Sequence, residues 1–371
     1  MERFQKPYIL KDLEKKMVFI TGPRQVGKTW LAKDIARAFP GSVYLNYDSA
    51  ADRKIIREEA WLPETDLLIL DELHKMKGWK NYLKGMYDTR PEGMRILVTG
   101  SARLEAFRQQ GDSLAGRFFR HRLLPFSPAE IRYVNASMGA ALFLSRGGFP
   151  EPLLADTDTD ADRWRMQYVD GLVRTDILDF DRIHDFKAIE LILDLLRSRT
   201  GSPISYQSIA EDVGVAPNTV KKYIQILESL FIIFKVTPYA RNIARSLVKA
   251  PKIYFYDTGM VNNEEGAVFE NMVALCLLKH ACAAVDLWGK SASLHYMRTK
   301  DGAEVDFCLV RDKIPELLIE VKRSDTRAAP ALVNFSKRYG IPATQLVLHL
   351  KHERMDKGVR ICQGMKFLAA L

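Results

Sequence analysis

The sequence predicts an α/β chain of several domains, and three observations carry that prediction. Over roughly the first third, short apolar runs of strand type alternate with stretches of helical period. In the middle, two short helical stretches flank a glycine turn and lead into two apolar runs. Near the end, two neighbouring strand-like runs both carry acidic residues. Alternating strands and helices imply a parallel sheet covered by helices. With 371 residues the chain has room for two or three cores. Hydrophobic residues make up 47% and charged residues 27%, a globular balance that excludes disordered and fibrous classes.

The first strand is Met17-Val18-Phe19-Ile20, and Trp30 to Ala36 has helical period. Between them lie Gly22, Pro23, Arg24, Gln25, Val26, Gly27, Lys28 and Thr29, reading G-x-x-x-x-G-K-T. Strand, glycine turn and helix in this order give the phosphate-binding loop called Walker A. Backbone N–H groups and the helix N-terminus receive phosphates there. Lys28 is expected on the β- and γ-phosphates, and the Thr29 hydroxyl on Mg²⁺.

Leu67-Leu68-Ile69-Leu70 is a buried-strand run that ends in Asp71-Glu72. An acidic pair closing an apolar strand is the Walker B pattern. Asp71 is expected on Mg²⁺ and Glu72 on the attacking water. Ser42–Asn46 and Met94–Thr99 supply further strands, the latter followed by Gly100-Ser101. Ser101 either senses the γ-phosphate or caps the next turn, with Thr99 as its substitute. Ser113 to Arg120 sets arginines beside apolar residues. Arg117, or alternatively Arg120, either reaches a neighbouring subunit's γ-phosphate in a homo-oligomer or forms a surface ion pair.

Arg146 to Pro152 is a turn-rich break, and Asp156 to Asp162 is a solvated loop leading into a helix. From Lys187 the pattern changes. The stretch Tyr206–Ala216 holds a helix ending near Gly214, and Asn218–Glu228 a second helix capped by Pro217-Asn218-Thr219, the spacing of a helix-turn-helix. Strands at Leu230–Val236 and Lys252–Tyr256 complete a winged helix. Between Lys187 and Asp257 ten basic residues face six acidic ones, a net +4, and the whole chain carries +9. Lys221 and Lys222 on the second helix, with Arg241, Arg245 and Lys249 on the wing, suit phosphate contacts to DNA. The same fold also serves as a protein-packing module.

The C-terminal part sets Glu304-Val305-Asp306 on one strand and Glu320-Val321-Lys322 on the next, with Glu270 upstream on a helix. Strand alternation puts Glu320 and Lys322 on one face. Asp306, Glu320 and Glu270 are expected to bind Mg²⁺, and Lys322 to orient water or offset charge on a scissile phosphate. A cross-strand ion pair is the other reading of the same residues.

Cys276, Cys282, Cys308 and Cys362 form no C-x-x-C pair, so reduced core thiols and a cytoplasmic location are expected. No secretory signal core opens the chain. No apolar run reaches the ~20 residues of a membrane span, so no membrane partner is expected.

Taken in order, GPRQVGKT (Gly22–Thr29), LLILDE (Leu67–Glu72), TGSAR (Thr99–Arg103), LAGR (Leu114–Arg117), GGFPE (Gly147–Glu151), FEN (Phe269–Asn271), EVDF (Glu304–Phe307) and IEVK (Ile319–Lys322) span nearly the whole chain. This series resembles the prokaryotic AAA-type P-loop ATPases that carry a C-terminal domain of unknown function. The resemblance implies an ATPase core, a winged helix and a restriction-endonuclease-like end of the PD-(D/E)xK type. The expected layout is an ATPase domain over 1–135, a helical linker over 136–186, a winged helix over 187–258 and a nuclease-like domain over 259–371. The expected function is ATP hydrolysis, with ATP and Mg²⁺, acting on duplex or branched DNA, together with a Mg²⁺-dependent nuclease centre. Two alternatives stand beside it: a DNA-remodelling motor that does not cut, and a nucleotide switch whose winged helix binds protein.

Overall fold

The computed structural model describes residues 2–100, 114–130, 139, 141–172, 185–240, 250–262, 264–299 and 301–371. The chain divides into two compact units, Met1–Leu124 and Pro125–Leu371.

The front unit runs α1 (Lys6–Leu13), β1 (Met17–Thr21), α2 (Lys28–Ala36), β2 (Ser42–Asn46), α3 (Ala50–Glu58), β3 (Leu67–Asp71), α4 (Trp79–Thr89), β4 (Arg95–Gly100) and β5 (Phe118–Arg122). Its sheet has the order β2-β3-β4-β1-β5, and every neighbouring pair is parallel. β1 and β3 are buried along their whole length, so they read as unbroken apolar runs instead of alternating ones. Phe19, Leu68, Leu70, Ile96 and Val98 pack with Trp79, Leu83 and Met86 of α4. Helix α2 lies against β2, β3 and β4, and α1 against β1 and β4. Three strand ends therefore lie along one edge: Thr21, Asp71 and Gly100 close adjacent parallel strands. That carboxyl edge is where open α/β sheets bind ligands.

The fifth strand was not among the expected ones. Its sequence, FFRHR, is too charged to read as a buried strand. As an edge strand it is only half-buried, which tolerates arginine. His121 is its one buried residue, and its Nε2 lies 2.8 Å from the Asp12 carboxylate.

Among its described residues the C-terminal unit has, after a 3-10 turn at Pro128–Glu130, the helices α5 (Leu142–Arg146), α6 (Pro150–Leu153) and α7 (Asp158–Gly171). Next come α8 (Phe186–Ser198), α9 (Tyr206–Val213), α10 (Pro217–Ser229), β6 (Ile233–Pro238) and β7 (Lys252–Phe255). The chain ends with α11 (Glu265–Trp288), β8 (Ala292–Arg298), β9 (Glu304–Arg311), β10 (Ile314–Lys322), α12 (Pro330–Tyr339), β11 (Ala343–Val347), β12 (Arg354–Asp356), β13 (Val359–Gln363) and α13 (Gly364–Ala369). Helix α7 starts as its acidic first turn demands: the Thr157 side chain accepts from the Asp160 N–H, and Asp158 and Asp160 face the positive helix end.

Strands β6 to β13 form one mixed sheet of order β12-β13-β11-β10-β9-β8-β6-β7. The β6–β7 hairpin is antiparallel, and β6 also pairs with β8 in parallel at Thr237 and Pro238. Residues 187–258 and 259–371, expected as separate domains, thus share a sheet and lie in one compact unit. The first compact unit ends at Leu124. The Phe126 N–H donates to the Gly148 carbonyl at 2.7 Å, and a Cβ on Gly148 would sit 2.2 Å from the Phe126 carbonyl oxygen. Lys279 of α11 donates to the Pro125 carbonyl at 2.8 Å. These contacts tie residues 125–130 to the C-terminal unit.

Helix α11, with 24 residues, is long and apolar enough by composition to cross a membrane. Two thirds of its most apolar window is buried inside the protein, as for a core helix. Helix α12 covers β9 and β10 through Leu332 and Phe335, which join Cys308, Val310 and Leu318 in a second core.

Candidate functional site

At the end of β1 the chain turns through Gly22–Gly27 into α2. Gly22 has φ +149°, and a Cβ there would lie 2.1 Å from the Leu123 carbonyl oxygen. Only glycine lets the loop pass this close to the strand behind it. Gln25 holds a left-handed φ of 57° without being glycine, local strain of the kind stored at functional sites. Arg3, 2% exposed, fastens the loop from beneath. Its guanidinium donates to the Val26 carbonyl at 2.6 Å and to the Leu124 carbonyl at 3.0 Å. Lys28 is buried, and its ammonium donates to the Gly22 and Pro23 carbonyls at 3.1 and 2.5 Å. Burial pushes its pKa down to about 8, against the pull of the Glu72 and Asp71 carboxylates.

Asp71, at the end of β3, is 4% exposed and collects three hydroxyls. Thr29 of α2 and Tyr44 of β2 donate to one oxygen at 2.9 and 2.7 Å, and Thr99 of β4 donates to the other at 2.5 Å. The strand order explains this meeting. β2 and β4 flank β3, so Tyr44 and Thr99 stand on either side of Asp71. Glu72 follows with a left-handed φ of 56°, and its N–H donates to the Thr99 carbonyl at 3.0 Å. Burial raises its carboxyl pKa, while Lys75 and Lys28 pull it down. A half-buried carboxylate with a raised pKa beside a phosphate loop has the properties of a general base.

In the C-terminal unit the structure brings Asp306, Glu320 and Lys322 together across β9 and β10. The Val321 N–H donates to one Asp306 oxygen at 3.0 Å, and the Asp306 N–H donates to Glu320 at 3.4 Å. The Lys322 ammonium lies 2.8 Å from the other Glu320 oxygen. Glu270 of α11 accepts from the Tyr254 hydroxyl at 2.7 Å. Burial, with the Asp306 charge, raises the pKa of both Glu270 and Glu320.

A residue absent from the sequence reading of this region stands among these groups. Lys252 of β7, 1% exposed, places its ammonium 2.8 Å from Glu304, 3.3 Å from Asp306 and 3.7 Å from Glu270. Among the described residues, no group of three or more His, Cys, Asp and Glu side chains is arranged to hold a metal ion. A lysine ammonium lies against two of the three carboxylates expected as ligands, and the third is paired with Lys322. As they stand, these residues do not fit a divalent cation.

Comparison with known proteins supports the reading of the front unit. Residues 14–132 match the model of a family described as an AAA domain. The front unit is a P-loop ATPase domain. Residues 141–268 and 265–366 match two families described as domains of unknown function, DUF8612 and DUF4143. The chain is 26% identical to an uncharacterized protein of Mycobacterium tuberculosis, over 84% of this chain and 71% of the relative. It is 23% identical to an uncharacterized protein of Methanocaldococcus jannaschii, over 81% of this chain and 73% of the relative. Among solved structures it is similar to a Walker-type ATPase of Pyrococcus abyssi. That match has 14% identity and a TM-score of 0.44, covering 71% of this chain and 94% of that one.

The remaining expected residues fall in three places. Ser101 lies outside the described residues, as do Arg241, Arg245 and Lys249. Arg117 immediately precedes β5, and its carbonyl accepts from the Met17 N–H at the start of β1. It therefore sits at the amino edge of the P-loop ATPase sheet, the end opposite the phosphate loop. Its guanidinium grips Asp88 through two bonds of 2.9 and 3.0 Å. Lys221 and Lys222 are exposed on α10, between exposed Asn218 and Gln225, while Val220, Tyr223, Ile224 and Leu227 bury the other face. Arg199 pairs with Asp212 at 2.6 Å, and Arg197 with Asp194 at 3.3 Å, so these cations are partly spent within the protein.

Sequence reasoning missed Arg3, Tyr44 and Lys252. Tyr44 sits on a strand that the sequence marks, Ser42–Asn46, but the neighbouring of that strand with the Walker B strand comes from the sheet order. Arg3 and Lys252 carried no signal, because nothing local marks either as buried.

Proposed function

We propose that this protein is a Mg²⁺-dependent ATPase that acts on DNA as a homo-oligomer without cutting it. The observation that carries the ATPase half is the meeting of Lys28, Thr29, Asp71 and Glu72 at the carboxyl edge of one parallel sheet. The loop fits a nucleotide: Gly22 lets it turn tightly against the Leu123 carbonyl, and the Lys28 ammonium, held on the Gly22 and Pro23 carbonyls, supplies a cation to meet phosphate. Thr29 and Asp71 would hold Mg²⁺, which when bound neutralises charge on the phosphate oxygens.

The chain's own groups do the rest. Glu72 orients the attacking water and accepts its proton. Tyr44 and Thr99 hold the Asp71 carboxylate in place. Ser101, following β4, is assigned to sensing the γ-phosphate. Arg117, at the amino edge of its own sheet, is assigned to the nucleotide of a neighbouring subunit, with Asp88 as its resting ion-pair partner. There it exchanges Asp88 for phosphate charge.

The DNA half rests on the exposed face of α10 in a helix-turn-helix followed by a hairpin, read as a winged helix. Lys221 and Lys222 make no ion pair among the described residues, which leaves both for phosphates. The C-terminal sheet, expected as a PD-(D/E)xK nuclease, enters this reading as a scaffold for the hairpin. The four cysteines are buried and unpaired, which supports the cytoplasm as the compartment.

Gel-shift titration of duplex and branched DNA at low salt tests the reading. Binding with ATP that exceeds binding without it, and that is lost in a Lys221→Ala/Lys222→Ala protein, supports it. Equal, weak binding in all cases, with ATP hydrolysis intact, overturns the DNA half and favours a nucleotide switch acting on protein.

A further inference from the structure

The carboxylate group on the C-terminal sheet has the spacing of a metal centre, yet its chemistry is that of a filled ion-pair site. Lys252 is the reason. Its ammonium is enclosed by three carboxylates, Glu304, Asp306 and Glu270 at 2.8, 3.3 and 3.7 Å. The ring of Tyr296 closes a further side, with its centroid 5.5 Å from the ammonium. Arg298 answers the other Glu304 oxygen at 3.4 Å, and Lys322 answers Glu320. Backbone N–H groups of Val321 and Asp306 occupy further acceptor positions on Asp306 and Glu320.

The same strand supplies a second fastening. Tyr254 lies two residues after Lys252, on the same face of β7, and its hydroxyl donates to Glu270. The Tyr296 hydroxyl donates to the Ala250 carbonyl at 2.7 Å, just ahead of β7. Gly201, before α9, approaches Glu270 so closely that a Cβ would lie 2.7 Å from its carboxylate oxygen. Every one of these contacts joins the helix-and-hairpin segment, residues 187–258, to the segment that follows it. Among the described residues β6 and β8 share two paired positions, Thr237 and Pro238, continued by the Tyr239 N–H, which donates to the Tyr296 carbonyl at 2.7 Å. The backbone ladder alone is a thin join.

We propose that Lys252 is the resident cation of this carboxylate cluster. The cluster is an ion lock that holds the β6–β7 hairpin onto the β8–β13 sheet, in place of a divalent-metal centre. The lysine brings a charge that cannot diffuse away, so the lock needs no metal in solution. A buried ammonium paired to several carboxylates is costly to break from one side only, because the unpaired charges stay buried. This inference is independent of the ATPase reading and survives its failure.

Two measurements test it. The first is Mn²⁺ binding to the whole, nucleotide-free protein, followed by electron paramagnetic resonance up to roughly 1 mM. The wild type and Glu320→Gln should bind alike. One extra Mn²⁺ in the wild type that vanishes in Glu320→Gln overturns the proposal. The second is thermal unfolding. Lys252→Met should lower the midpoint of the C-terminal unit by roughly 5–15 °C. Adding Asp306→Asn to Lys252→Met should recover part of that loss, since it removes a carboxylate left without its cation. A Lys252→Met protein as stable as the wild type overturns the lock, as does a double variant less stable than the single one. If Lys252→Met does not fold, the Mn²⁺ comparison still decides.

Discussion

Removing one hydroxyl tests how the ATPase site holds its Walker B carboxylate. In Tyr44→Phe the ring stays, and with it the contact beneath the Lys33 ammonium, 4.9 Å from its centroid. The 2.7 Å bond to Asp71 is lost, together with the hydroxyl's interaction with Thr29. A hydrogen bond to a charged acceptor contributes about 1.5–3 kcal/mol. The phenol is half-buried and Asp71 keeps Thr29 and Thr99, which favours the lower end. For a domain near this size, about 1.5 kcal/mol lowers the midpoint by roughly 5 °C. If the bond persists in the transition state, the same loss slows turnover by about tenfold. Calorimetry of the front unit and steady-state ATPase rates measure the two effects. A midpoint within about 1 °C of wild type, with unchanged turnover, would refute the view that Tyr44 holds Asp71.

Other expectations follow from the same geometry. Glu72→Gln should keep ATP binding and lose turnover by about 10²–10⁴-fold, measured by nucleotide binding and phosphate release; normal turnover removes Glu72 from the role of base. The buried Lys28, with a pKa near 8, holds its proton less firmly than in the unfolded chain. The unfolded state therefore binds more protons between about pH 8 and 10.5, so nucleotide-free stability should rise across that window by about 3 kcal/mol relative to Lys28→Met. Denaturant titrations at pH 7.5 and pH 10 compare the two; parallel pH dependence contradicts the burial of that charge. Replacing Lys221 and Lys222 by alanine should flatten the log–log salt dependence of DNA affinity by about 1.8, close to 0.9 for each phosphate contact. An unchanged slope would place the DNA elsewhere.

The front unit was legible because its signals are local. Gly22 to Thr29 lie in one turn, and the apolar strands β1 and β3 announce their own burial. β5 escaped because an edge strand tolerates Arg120 and Arg122, and charge conceals it from a search for apolar runs. In the C-terminal unit, alternation along β9 and β10 placed Asp306, Glu320 and Lys322 beside one another. What that reading lacked was Lys252, which lies 54 residues before Asp306 and on a strand assigned to another domain. The pairing of β6 with β8 brings it in, and no local pattern encodes that pairing. The metal expectation rested on carboxylates alone, and a distant cation changes what those carboxylates can hold. At Gly147 and Gly148 the expected break lies between α5 and α6, and it coincides with a close approach that the sequence does not show. A Cβ on Gly147 would lie 2.1 Å from an Asp257 oxygen.

The central claim is that nucleotide turnover in the front unit serves DNA held by the C-terminal unit. The ATP hydrolysis rate of the whole protein, measured at low salt with and without duplex and branched DNA, tests it most directly. Stimulation by at least one DNA form, lost in the Lys221→Ala/Lys222→Ala protein and suppressed by added salt, is the predicted result. Hydrolysis that proceeds at one rate whatever DNA is offered would contradict it.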